Sequence, residues 1–149
     1  MRGRMAIAFV VVATVLPTVV AYSVAAGADS GTKPLGPGLV TVEVTTHYSR
    51  YSEVLDDLEV YEGTLVRFVV TNDDPIHHEL IIGDAAVHAA HERGHEATHP
   101  PVPGELSLDP GETGLTTYRF DTPGKVRFAC HLPRHFSYGM WGDITVVPT

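Results

Sequence analysis

From Leu39 onward the apolar residues of this chain recur at every second position, in runs cut by strong turn signals. That pattern points to sheet and to little else. Val40, Val42 and Val44 alternate with polar residues, the period of a strand with one buried face. Leu58 and Val60 continue the style, and LVRFVVTN at 65–72 follows the Glu62-Gly63 turn. The Asn72-Asp73-Asp74-Pro75 cluster turns the chain into HELIIG at 78–83. Leu106 and Leu108 precede the Asp109-Pro110-Gly111 turn, residues 114–120 alternate again, and Pro123-Gly124 leads into KVRFAC at 125–130. A last strand runs from Asp143 to Val147. Seven or eight short strands with turns about every 8–12 residues predict an all-β sandwich or barrel.

Residues 84–103 break this pattern. DAAVHAAHERGHEATH is Ala-rich and has no strand period. Asp84 is placed to cap a short helix, Gly94 weakens or ends it, and Pro100, Pro101 and Pro103 prevent its continuation. The reading is a partly helical insertion lying over the sheets.

The N-terminus has a different character. Arg2 and Arg4 precede an uncharged stretch from Met5 to Ala28, with Ala26 and Ala28 spaced for cleavage before Asp29. Residues 1–28 therefore read as a secretory signal peptide; the rival is an N-terminal membrane anchor, since the stretch is long enough to span a bilayer. Residues 29–38, rich in Gly and Pro, read as a flexible linker, and 39–149 as the single folded domain. The expected location is periplasmic or extracellular, with any membrane attachment through residues 5–28. The chain of 149 residues has a net charge of −8, which disfavours non-specific nucleic-acid binding. Its one cysteine excludes an internal disulfide, and an exported lone thiol needs protection in an oxidising compartment. A bound metal would give it.

The chemistry concentrates in Cys130-His-Leu-Pro-Arg-His135-Phe-Ser-Tyr-Gly-Met140. It sets a thiolate, an imidazole and a thioether at positions 0, +5 and +10, soft or borderline donors that copper accepts in both redox states. Cys130 ends a predicted strand, and the loop after it, with Pro133 and Gly139, can fold back over it. A fourth donor must come from elsewhere. His78 shares parity with Leu80 and Ile82, whereas His77 falls on the opposite face; parity favours His78 over His77.

These residues resemble the cupredoxins, the blue-copper family that includes plastocyanin, azurin and auracyanin. The resemblance spans about residues 39–147 and rests on GTLVRFVVTNDDP, on HHEL, and on PGKVRFACHLPRHFSYGM. It implies a Greek-key cupredoxin sandwich holding one copper ion that cycles between Cu⁺ and Cu²⁺. Carried over by position, His78, Cys130 and His135 would be the strong in-plane ligands and Met140 the long axial one. Asn72 and Glu79 are the candidates to orient the ligands; Glu79 stands where plastocyanin and azurin have Asn. The Cys130-His131 pair also resembles the last motif of multicopper oxidases, but Ala129 stands on the other side of the thiol and the chain has no His-x-His pair. No ligand set for a trinuclear centre is present, so the reading is a one-copper domain and not an enzyme.

Two functions follow. The first is a monomeric electron carrier that docks transiently with redox proteins near His135, framed by Leu132, Pro133, Phe136 and Trp141. The second is copper buffering or delivery, using the His-rich insertion. His88, His91, His95 and His99 fall in about one stripe of a helix, readable as a secondary metal site or as a solvated polar face. His131 reads as a surface or rim residue. The acidic run Glu53, Asp56, Asp57, Glu59 and Glu62 reads as a solvated edge, with docking of a basic partner as its alternative. Zinc is conceivable in the same four positions.

Overall fold

The computed structural model describes residues 33–94 and 102–149, which form two packed β-sheets with one short helix. Residues 1–28, read as the leader, and His95 and His99 of the insertion lie outside the described residues.

The first sheet has the order β2-β1-β4-β7, built from β1 (Leu39–His47), β2 (Arg50–Tyr51), β4 (Thr64–Asn72) and β7 (Thr113–Phe120). The second has the order β3-β9-β8-β5-β6, built from β3 (Glu59–Tyr61), β5 (His78–Gly83), β6 (Glu105–Leu108), β8 (Gly124–Ala129) and β9 (Trp141–Val147). β1 pairs parallel to β4 and β3 parallel to β9, while the remaining pairs are antiparallel. The described strands number nine, one more than the upper expectation. The extra one is β2, a two-residue pairing of Arg50 and Tyr51 with His47 and Thr46. Two residues carry no period to read.

The alternation does what it should. Val40, Val42 and Val44 of β1 and Val66, Phe68 and Val70 of β4 point into the space between the sheets. There they meet Leu80 and Ile82 of β5, Phe128 of β8 and Ile144 and Val146 of β9. Residues of opposite parity, such as Leu115 at 57% exposure, face outward. The core is thus the shared inner surface of two twisted sheets. The linker expectation needs correction from Leu35 on. Leu35 bridges Val60 and is bonded in both directions to β3, its N–H donating to Glu59 O and its carbonyl accepting Tyr61 N–H, each at 2.9 Å. A leucine that can pack against the core outweighs the Gly/Pro-rich character of its neighbours.

The insertion carries α1 (Ala85–Glu92), capped by Asp84, whose carboxylate accepts the N–H groups of Ala86 and Val87 at 2.9 and 3.0 Å. Gly94 follows it in a left-handed conformation (φ +67°). The helix lies close to β5 because Gly83 has no side chain: a Cβ there would stand 2.9 Å from that of Val87. Its first histidine, His88, is buried. Among the described residues no helix is long and apolar enough to cross a membrane.

Phe68 is fully buried at the centre of β4. Phe68→Ala should lower the unfolding free energy by about 3–5 kcal/mol, whereas Leu115→Ala should change it by less than about 0.5 kcal/mol. Urea unfolding with unchanged slope reads both.

Candidate metal centre

The site stands at one end of the sandwich, where the start of β5 meets the end of β8. Cys130 is the first residue beyond β8, one position past the strand end rather than within it. The antiparallel register sets Ile81 opposite Ala129, so the next residue along β8 arrives beside the first residues of β5. The Glu79 N–H donates to Cys130 Sγ at 3.4 Å. The following loop doubles back as expected, through a 3₁₀ turn (Phe136–Tyr138) that ends at Gly139 in a left-handed conformation (φ +91°). Three backbone bonds of 3.0 Å lock it: His135 N–H to Leu132 O, Met140 N–H to His135 O, and Cys130 N–H to Met140 O. The last two tie all three loop residues of the donor set to one another.

Donor atoms of His78, Cys130 and His135 all lie within 4.8 Å of one another. Cys130 Sγ is 3.2 Å from His135 Nδ1, and the His78 and His135 rings are 5.0 Å apart. His78, Cys130 and Met140 are fully buried, and His135 is half-buried. His77 points away: its side chain is 68% exposed and sits 2.9 Å from Asp109.

The turn before β5 orients His78. The Asn72 carboxamide oxygen accepts Thr46 Oγ1–H and Asp74 N–H, both at 3.0 Å. Its NH₂ donates to the carbonyls of Ile76, Leu108 and Asp109 at 2.8, 3.3 and 3.1 Å. Asn72 thereby fixes Asp74, which in the sequence is only one residue of a turn signal. Asp74 accepts N–H bonds from Tyr48 and Ser49 at 2.8 and 2.7 Å and lies 2.8 Å from His78 Nε2. Burial pushes this carboxyl up, but the Ser49 N–H, His78 and the Tyr48 N–H outweigh it and hold its pKa below the ordinary value. With Nε2 turned to a carboxylate, His78 presents Nδ1 to the other donors. That nitrogen is buried and has no hydrogen-bond partner, an arrangement that costs about 1–3 kcal/mol unless something binds there.

Glu79 serves differently. Its carboxylate accepts His131 N–H at 3.2 Å and its backbone carbonyl accepts the hydroxyl of Tyr51, joining the first donor strand to the ligand loop. Burial drives the Tyr51 hydroxyl well above its usual pKa. Burial likewise raises the Cys130 thiol to about 11, against the lowering effect of N–H groups from Glu79 and Leu132. Burial also lowers the His135 pKa, helped by neighbouring His78. A sulfur, two imidazoles and a buried thioether at one end of a sheet suit a copper ion, and the orphaned Nδ1 of His78 fits such an ion as its missing partner.

The described histidines of the insertion, His88 and His91, do not join this group. His88 instead meets His131, with His88 Nδ1 2.8 Å from His131 Nε2. His131, expected at the rim, is half-buried and stacked on Phe136 at 5.5 Å. The run Glu53, Asp56, Asp57 and Glu59 is exposed.

Removing the carboxylate beside His78 should loosen that imidazole. Asp74→Ala should weaken copper binding by about 10–100-fold, measured by competition with a chelator, while Asp109→Ala, beside exposed His77, should leave it unchanged.

Comparison with known proteins agrees with this geometry. The family model described as copper binding proteins of the plastocyanin/azurin family matches residues 40–147. The copper-resistant cuproprotein CopI of Pseudomonas aeruginosa is 29% identical over 123 residues, 61% of this chain and 68% of its own. Auracyanin-B of Chloroflexus aurantiacus is 30% identical over 148 residues, 89% of this chain and 63% of its own, and the CopI of Rubrivivax gelatinosus is 34% identical over 92 residues, with 56% of its own length spanned. The structure of auracyanin B superimposes with a TM-score of 0.57 at 25% identity, covering 78% of this chain and 94% of that one. Fold, donor set and family match converge: the chain belongs to the copper-binding plastocyanin/azurin family, the cupredoxins.

Proposed function

We propose that this protein carries single electrons between redox partners outside the cytoplasm. One copper ion would be held by His78, Cys130 and His135, with Met140 as a fourth, weaker donor. The observation that carries the reading is the convergence of three donors within 4.8 Å beneath a loop locked by its own backbone bonds. Such a set suits Cu⁺ and Cu²⁺ with little change of shape, and the bound ion supplies the one-electron couple. The chain's residues do the rest. Asp74 and Asn72 hold His78, the Glu79 N–H steadies the sulfur, and the sandwich excludes water from all but His135.

His135 is the natural exit, being the donor that is not fully buried. Tyr138 of the same loop and Trp141 at the start of β9, 62% and 42% exposed, offer an apolar face for transient docking. The acidic edge from Glu53 to Glu62 suits encounter with a basic partner. Export, through residues 1–28, accords with a lone thiol that a bound metal would protect.

Copper handling is the second reading. Relatives named copper-resistant cuproprotein CopI favour it, as do His88 and His91 of the insertion.

The test is metal analysis and the visible spectrum of the purified protein. The expected result is one firmly held copper with an intense thiolate-to-copper absorption, abolished by Cys130→Ser, and reversible one-electron cycling. Bound zinc, or no such absorption with copper supplied, overturns the proposal. Loss of that copper to mild chelators, with sluggish cycling, assigns the protein to copper handling instead.

A further inference from the structure

We propose that His88, His131 and His91 form a second metal site, for a borderline divalent ion of the Cu²⁺ or Zn²⁺ class. It is distinct from the thiolate site and separated from it by one peptide unit, since His131 follows Cys130. It goes beyond the electron-carrier reading and does not depend on it.

Imidazoles from two elements gather here: His88 and His131 meet through their ring nitrogens, and His91 stacks beside His131. α1 supplies His88 and His91, one turn apart, and the loop after β8 supplies His131. The His88 and His131 ring centres are 5.1 Å apart, and those of His91 and His131 lie 6.0 Å apart and nearly parallel, at 23°. His88 is buried, and the His91 side chain is only 9% exposed. Sequence spacing alone grouped His88 and His91 with His95 and His99. The packing of α1 on the sheet brings in His131 instead.

The hydrogen bonds assign the nitrogens. His88 Nε2 lies 3.3 Å from the Arg127 carbonyl oxygen, which can only accept, so Nε2 carries the proton and Nδ1 the lone pair. That lone pair points at His131 Nε2, 2.8 Å away. His91 Nε2 lies 3.1 Å from the Glu105 carboxylate. Histidines that bind metals typically donate the other ring N–H to a carbonyl or carboxylate, which fixes the tautomer. His88 and His91 show one of each. His131 has its ring plane set by Phe136 at 12°, and its Nδ1 is buried with no hydrogen-bond partner. In the metal-free pair His131 Nε2–H donates to His88 Nδ1. An ion entering between them takes both lone pairs once the His131 proton moves to Nδ1, with no net loss of a proton. Zinc–nitrogen bonds of about 2.0–2.1 Å set two ligands of a tetrahedral site about 3.3 Å apart, so the pair need open only slightly. His91 is the third donor, and the Glu105 carboxylate supplies compensating charge.

The test uses the full-length protein, copper-loaded and reduced, titrated with Zn²⁺ and separately with Cu²⁺. Nitrogen-15 NMR of the imidazoles follows the zinc titration, and metal analysis counts the ions. The expected result is one further equivalent with ring-nitrogen shifts at His88, His131 and His91 and none at His47 or His77. His88→Gln should weaken that equivalent at least tenfold and leave the visible absorption of the thiolate site, read on the oxidised protein before reduction, in place, whereas a His95→Gln/His99→Gln double variant should retain the second equivalent. An absent second equivalent in the wild type overturns the proposal. So does a second equivalent whose shifts map to His95 and His99. Should His88→Gln disturb the fold, the wild-type shifts decide alone. Failure of the electron-carrier reading shows separately, in the spectrum before any second ion is added.

Discussion

The antiparallel pairing of β5 with β8 is the contact on which the site depends. It brings His78 and Cys130, 52 positions apart in the chain, to the same end of one sheet. It also lets the Glu79 N–H reach the sulfur. Both strands are buried at that end, which gives the donors a dry setting. The same burial raises the thiol pKa, so an uncharged sulfur waits there and must give up its proton to a metal, a coupling between pH and occupancy common to thiolate sites.

Around this pairing the structure spends buried polar groups with care. Thr46, Asn72, Asp74 and His78 are all buried, yet each is bonded in sequence: Thr46 to Asn72, Asn72 to the Asp74 backbone, Asp74 to His78. A fully satisfied chain of this kind fixes a ring orientation, while a broken one leaves uncompensated groups in a low-dielectric interior. The partnerless nitrogen at its end is the functional exception.

Much of the sandwich was legible in the sequence, because period-two alternation follows directly from a sheet with one wet face. Val40 to Val44 and Leu65 to Asn72 declared themselves in this way. The grouping of Cys130, His135 and Met140 on one loop was readable because they lie within one short segment. Strand parity sufficed to separate His78 from His77. What the sequence hid depends on contacts between distant segments. Asp74 looks like any turn aspartate until the turn aims it at His78. His131 looks like a rim residue until α1 packs against β5 and lays His88 on it. Leu35 looked like part of a linker because Gly and Pro surround it, and its pairing with β3 is a tertiary fact. β2 is too short to show a period at all.

The stacking on the ligand loop has an optical consequence. His131 lies on Phe136, Phe136 lies on Trp141 at 5.7 Å, and the Arg127 guanidinium covers the indole at 4.8 Å. Trp141 is the sole tryptophan of the chain and directly follows Met140. The tryptophan emission of the molecule therefore originates beside the donor cluster and not in the interior of the sandwich. Its fluorescence reports on the ligand loop, a native reporter that needs no attached dye.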